Sequence, residues 1–172
     1  MRKASGKKED LYMKQDESIS LLISEINKSI SIINQIEIFY RDFLRKEVSA
    51  LGKTKVTAMV MAQIMENYYT SVETLFVRIS QFFENNLSNE KWHKDLLDKM
   101  ILQIEGVRDR VISDKSYREL LELMRFRHFK RYYFELDYDW DKLDYLSKKL
   151  EAQFSGLPKE LIKFISFLKN LQ

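Results

Sequence analysis

A chain of 172 residues carrying a formal net charge of +3 is long enough to bury one core and too short to expect two. The absence of cysteine excludes disulfides, thiolate metal sites and thiol nucleophiles, which suits a reducing compartment, so the cytoplasm is the expected location. The basic residues Arg2, Lys3, Lys7 and Lys8 run straight into Glu9 and Asp10 with no apolar segment behind them, and no stretch is apolar over a membrane-spanning length; neither export nor membrane insertion is expected.

Four glycines and one proline leave few points for hairpins, while abundant Ile, Leu, Lys and Glu favour long helices, so the fold class is all-α. Residues 1–9 form a charged tail ahead of a single domain over 10–172. From Leu11 the apolar residues take helical spacing through Ile19, Leu22, Ile26, Ile33, Tyr40 and Phe43, a first long helix with Asp16 or Ser18 as cap and Gly52 at its exit. A second spans about Thr57 to Phe83, with Met61, Ile64, Met65, Tyr68, Val72 and Phe76 on its inner side, and packs antiparallel to the first. Its stripe of Met and Phe is most simply core. After a polar break at Asn85, Asn86, Ser88 and Asn89, a third helix runs from Trp92 to Val107 with Gly106 near its end. Ser113 and Asp114 offer an N-cap for a fourth, whose inner face carries Tyr117, Leu120, Leu121, Met124 and His128. Asp137 to Asp141 is a turn, Trp140 to Phe154 a fifth helix, and Gly156, Leu157 and Pro158 open a short last one through Leu171. The expectation is a bundle of about five helices, with the fourth at its centre.

The fourth helix carries the densest chemistry, Arg125-Phe126-Arg127-His128-Phe129-Lys130-Arg131-Tyr132-Tyr133-Phe134. At 100° per residue, Arg127, Lys130 and Arg131 lie within about 100° of arc and Phe134 falls between them, one basic face with an aromatic on it. Guanidinium groups and rings suit phosphate contact and base stacking on unpaired RNA. The ordinary alternative is a solvated face neutralised by nearby Glu and Asp. His128 lies on the apolar side as a core histidine, and His93 beside Trp92 begins a helix. Asp137, Asp139 and Asp141 imitate the start of a calcium loop, but Lys142 and Lys148 stand where that loop needs Gly and Glu; capping of the fifth helix by Asp137 or Asp139 is the better reading. Two histidines far apart in sequence give no zinc spacing, and neither a glycine-rich phosphate loop nor a nucleophile elbow occurs. No cofactor is expected.

These residues resemble the HepT-like domain of the HEPN superfamily, whose local text runs roughly Arg-Phe-Arg-His-x-x-Arg-His-x-Tyr. Further stretches are similar in order and spacing: Asn67 to Ile79 to its second helix, Trp92 to Leu97 to its third, and Asp139 to Leu143 after the motif. The resemblance implies a HEPN-type helical bundle, toxin component of modules that pair such a domain with a minimal nucleotidyltransferase antitoxin. It implies a homodimer in which two motif helices face one cleft that cuts RNA without metal, and adenylation of the motif Tyr by the partner. Carried across, Arg127 is the motif Arg, and the Arg-x4-His pattern is degenerate: Tyr132 occupies the place of the catalytic His and Phe134 that of the acceptor Tyr. A phenol with a pKa of about 10 shuttles protons poorly at neutral pH, where imidazole at about 6.5 is well matched. No Arg stands at the family's spacing ahead of His93 or His128. The candidate residues are Arg127 and Tyr132 for catalysis, Arg125, His128, Lys130, Arg131 and Phe134 for RNA, and Tyr133 as a substitute acceptor for adenylate. The resemblance leaves three outcomes: a metal-independent or altered endoribonuclease, a catalytically impaired RNA-binding or partner-binding subunit, and a helical adaptor whose basic face meets an acidic protein.

Overall fold

In the computed structural model, residues 3–83 and 92–172 are described, with side chains from Met13 onward. Helix α1 covers Lys3–Phe43 and continues through a π-helical turn, Leu44–Val48, and a closing α turn, Ser49–Leu51. It therefore reaches back through part of the expected tail, and neither Asp16 nor Ser18 caps it; Ser18 Oγ donates to the Lys14 carbonyl within the helix (2.8 Å). Its buried positions Ile19, Leu22, Ile26, Ser29, Ile33, Tyr40 and Phe43, with partly buried Ile36 between, step by alternating three and four residues. That spacing keeps one narrow seam facing the body.

Gly52 follows at φ 71°, a left-handed conformation that a side chain disfavours, and reverses the chain within three residues. The next helix, α2 (Lys55–Phe83), is stapled at its start by Thr57, whose hydroxyl donates to the Gly52 carbonyl (2.8 Å) and accepts from the Thr54 amide (2.9 Å). The tight reversal makes α1 and α2 antiparallel. The polar break at Asn85 to Asn89 lies outside the described residues.

Helix α3 (Trp92–Met100) is shorter than the sequence suggests. The Val111 and Ile112 amides both donate to the Met100 carbonyl (2.9 and 3.2 Å), and the buried Arg108 donates from Nη2 to the Lys99 carbonyl (2.7 Å). Ile104 and Arg108 pair backbone to backbone around Gly106 at φ 72°. The chain thus satisfies the end of α3 by folding back on it, and periodicity alone cannot foresee that. Helix α4 (Asp114–Tyr132) starts on Ser113, whose hydroxyl accepts from the Ser116 amide (3.2 Å). Helix α5 (Trp140–Lys169) is capped by Asp139, which accepts from the Asp141 amide (2.9 Å).

The expected division of the last segment into two helices is corrected, since α5 runs unbroken through Gly156 and Pro158. Proline removes one amide donor and crowds the preceding turn, but Leu150, Phe154, Leu157, Leu161 and Leu168 all point into the core. Burial on that scale outweighs one lost hydrogen bond.

Among the described residues five helices make the bundle, and α2 rather than α4 is central, packed against each of the other four. Tyr40 of α1 and Tyr68 of α2 both set their rings 5.4 Å from Phe154 of α5, and Tyr40 donates to Glu151 Oε1 (2.6 Å). Leu120 and Met124 are buried as expected, joined by Leu123, Phe126 and Arg127.

Candidate functional site

The site lies where α4 crosses α2 and α3. The sequence places only two acids in α2, Glu66 and Glu73, seven residues apart and hence on one face; Thr70 lies between. That polar strip faces the motif helix. Glu73, 5 % exposed, is shared by Arg127 and His93: its Oε2 lies 3.1 Å from Arg127 Nη1, and its Oε1 accepts from His93 Nδ1 at 2.5 Å. Arg127 Nε donates to Thr70 Oγ1 (3.1 Å), and the guanidinium sits 5.9 Å from the Tyr69 ring centroid. Burial pushes the Tyr69 hydroxyl well above its ordinary range. His93 stacks on Trp92 (3.7 Å between centroids) and meets His128 edge to face (4.7 Å). Desolvation holds the half-buried His128 imidazole below its usual pKa, helped by the charges of His93, Arg127 and Arg131 and opposed by Glu73.

The expected basic face therefore does not form. Arg127, 5 % exposed, is buried by its pairing with Glu73, because a desolvated guanidinium requires a partner. Lys130 Nζ is held by the Glu66 carboxylate and by Gln63 Oε1 (2.8 Å). Arg131 is exposed. Phe134, 84 % exposed, lies past the end of α4, where Tyr133 has turned to an extended conformation, so it does not fall between the cations. Arg125 projects to the other flank and pairs with Glu122 (2.6 Å).

Tyr132 is 77 % exposed, and five residues of ideal helix turn it about 140° from Arg127. The structure does not bring these two together within one subunit. Tyr133 is committed elsewhere: its ring stacks on Phe129 (4.7 Å) and its hydroxyl donates to the Asp137 carbonyl (2.9 Å). Asp137 and Asp139 do not converge as calcium ligands do; Asp137 pairs with Lys55 (3.2 Å) while Asp139 caps α5.

Sequence reasoning missed Glu73 and understated His93. The available signal was a pair of acids at a seven-residue spacing in a helix with no other acid. Nothing local in the sequence ties His93 to them, since the contact spans 20 positions of chain.

An all-α bundle whose fourth helix carries the arginine-rich aromatic motif agrees with a HEPN-type fold. The family model described as HepT-like protein matches residues 60–168, and the chain belongs to this HepT-like family. No curated protein matches it, nor does any solved structure. Among the described residues, no helix is long and apolar enough to cross a membrane.

Proposed function

We propose that this protein is the toxin-like HEPN component of a toxin–antitoxin or related defence module, acting on RNA with a motif impaired for cleavage and paired with a nucleotidyltransferase. The observation that carries this reading is the separation of Arg127 from Tyr132. The first is buried against Glu73 and the second is a phenol in open solvent. Metal-independent cleavage needs a proton carrier titrating near neutrality beside a cation on the scissile phosphate, and this pair supplies neither. The homodimer implied by the family is supported by exposed aromatics at the end of α4, namely Phe129 (51 %), Tyr132 and Phe134, the residue type enriched at the centres of interfaces. Loss of the acceptor hydroxyl at Phe134, together with the engaged Tyr133, argues against adenylation at the motif.

The second reading, a surviving endoribonuclease of altered mechanism, is favoured by the meeting of His93 and His128 beside Glu73. A carboxylate on Nδ1 fixes the His93 tautomer and leaves Nε2 as the acceptor. The deciding experiment incubates purified protein with labelled tRNA and messenger RNA, alongside Arg127→Ala, Tyr132→His, Tyr132→Phe and His93→Gln. Salt-sensitive binding without cleavage, unchanged by Tyr132→His, is expected. Cleavage by the parent that is lost in His93→Gln and retained in Tyr132→Phe establishes the second reading instead. Absence of RNA binding and of cleavage under all conditions leaves the adaptor.

A further inference from the structure

We infer that the phosphate backbone of a single-stranded RNA is held in the groove between α4 and α5, on the flank of the motif helix opposite the Glu73 cluster. The inference rests on the RNA reading above and locates the contact. Lys115, Arg118 and Arg125 occupy one stripe of α4, since seven and three residues separate them in helical register. Lys142, Tyr145 and Lys149, three and four residues apart, make the facing stripe of α5. Between them lies an open groove of about 490 Å³.

The charge there is unbalanced, with five cations against Glu119 and Glu122. Both acids are engaged: Glu119 accepts from Gln153 Nε2 (2.6 Å), and Glu122 accepts from Arg125 (2.6 Å) while standing 4.0 Å from Lys142. Lys115 and Arg118 are exposed, and no ion pair holds either among the described residues. Lys142 and Lys149 stand 5.0 and 5.1 Å from the Tyr145 ring centroid. Cation–π attraction gathers both ammonium groups on that wall at small cost in hydration. By contrast, Arg127 and Lys130 on the other side of α4 are already spent on Glu73 and Glu66, which leaves Arg131 exposed there.

A groove with cations on both walls admits one strand, whereas a duplex presents its two backbones too far apart to enter. The stripe from Lys115 to Arg125 is about 15 Å long, room for a few nucleotides of one strand. Binding of this kind depends on the backbone and not on base identity.

The test measures anisotropy of a labelled oligouridylate against the full-length parent, Arg118→Glu/Lys149→Glu, Lys115→Glu/Arg118→Glu and the control Lys130→Glu/Arg131→Glu, with far-UV circular dichroism to verify folding. Both groove variants are expected to bind at least about tenfold more weakly, with a log–log salt slope shallower by about 0.7 per lost contact, and the control to stay within about twofold of the parent. Parent-like binding by either folded groove variant, with loss confined to the control, overturns the groove and leaves the RNA reading standing. A parent that binds no RNA at all overturns both. Displacement of RNA by polyglutamate at equal charge concentration identifies an acidic polypeptide as the occupant and overturns the assignment to RNA.

Discussion

At the scale of single residues, Glu73 decides the most. Its side chain is only 6 % exposed and neutralises a guanidinium buried to 7 %, so Glu73→Ala strands a desolvated cation and should cost about 3–5 kcal/mol of stability by urea unfolding. The double variant Glu73→Leu/Arg127→Met removes both charges and should recover most of that loss, because desolvating an ion pair offsets much of what its attraction contributes. A double variant no more stable than the single would show that the network stabilises beyond its charge balance. Tyr68 presents the converse case: its ring is fully buried and its hydroxyl has no hydrogen-bond partner among the described residues, so Tyr68→Phe should leave the protein as stable or raise its melting temperature. His128 gives the fold a pH dependence. Its folded-state pKa lies below the ordinary value, chiefly through desolvation, so the unfolded chain binds the proton more readily and stability declines as pH falls below about 6.5. His128→Asn should flatten the fall in melting temperature between about pH 7.5 and 5.5.

At the scale of elements, Pro158 is the clearest liability. It interrupts the hydrogen bonding of α5 without ending the helix, and Pro costs about 3 kcal/mol relative to Ala in a helix interior. Pro158→Ala should raise the melting temperature by several degrees, read by circular dichroism; a fall would mean that the proline sets a bend on which the core packing depends. The helices themselves were legible because apolar spacing repeats over many turns: Ile19 through Phe43, Met61 through Ile79 and Leu120 through Met124 all face inward, and Ser113 and Asp139 cap where their residue types suggest. Ends set by tertiary contact were not. The stop at Met100 depends on amides and a guanidinium arriving from beyond Gly106, and the passage through Pro158 depends on the depth of burial on either side. The basic face failed for a related reason, since helical arithmetic fixes the direction of Arg127 and Lys130 but not the acids waiting on α2. The family motif was legible as text, and the distance between Arg127 and Tyr132 in orientation was not.

At the scale of the whole molecule, dimerisation is the property most readily measured. Sedimentation at tens of micromolar should give a dimer if the exposed aromatics of α4 meet across a twofold axis, and Phe129→Glu with Phe134→Glu should shift it to monomer. The position of α2 has a separate consequence for how the fold comes apart. Because α2 touches every other helix, no helix can leave without uncovering apolar surface on α2, and there is no smaller unit in which the rest could remain closed. Unfolding should accordingly be cooperative. Trp92 at the start of α3 and Trp140 at the start of α5 report from two different helices, so their fluorescence and the far-UV signal should trace one denaturant transition with a common midpoint. Protection from hydrogen exchange should then be deepest along α2, at amides that open only when the whole chain does.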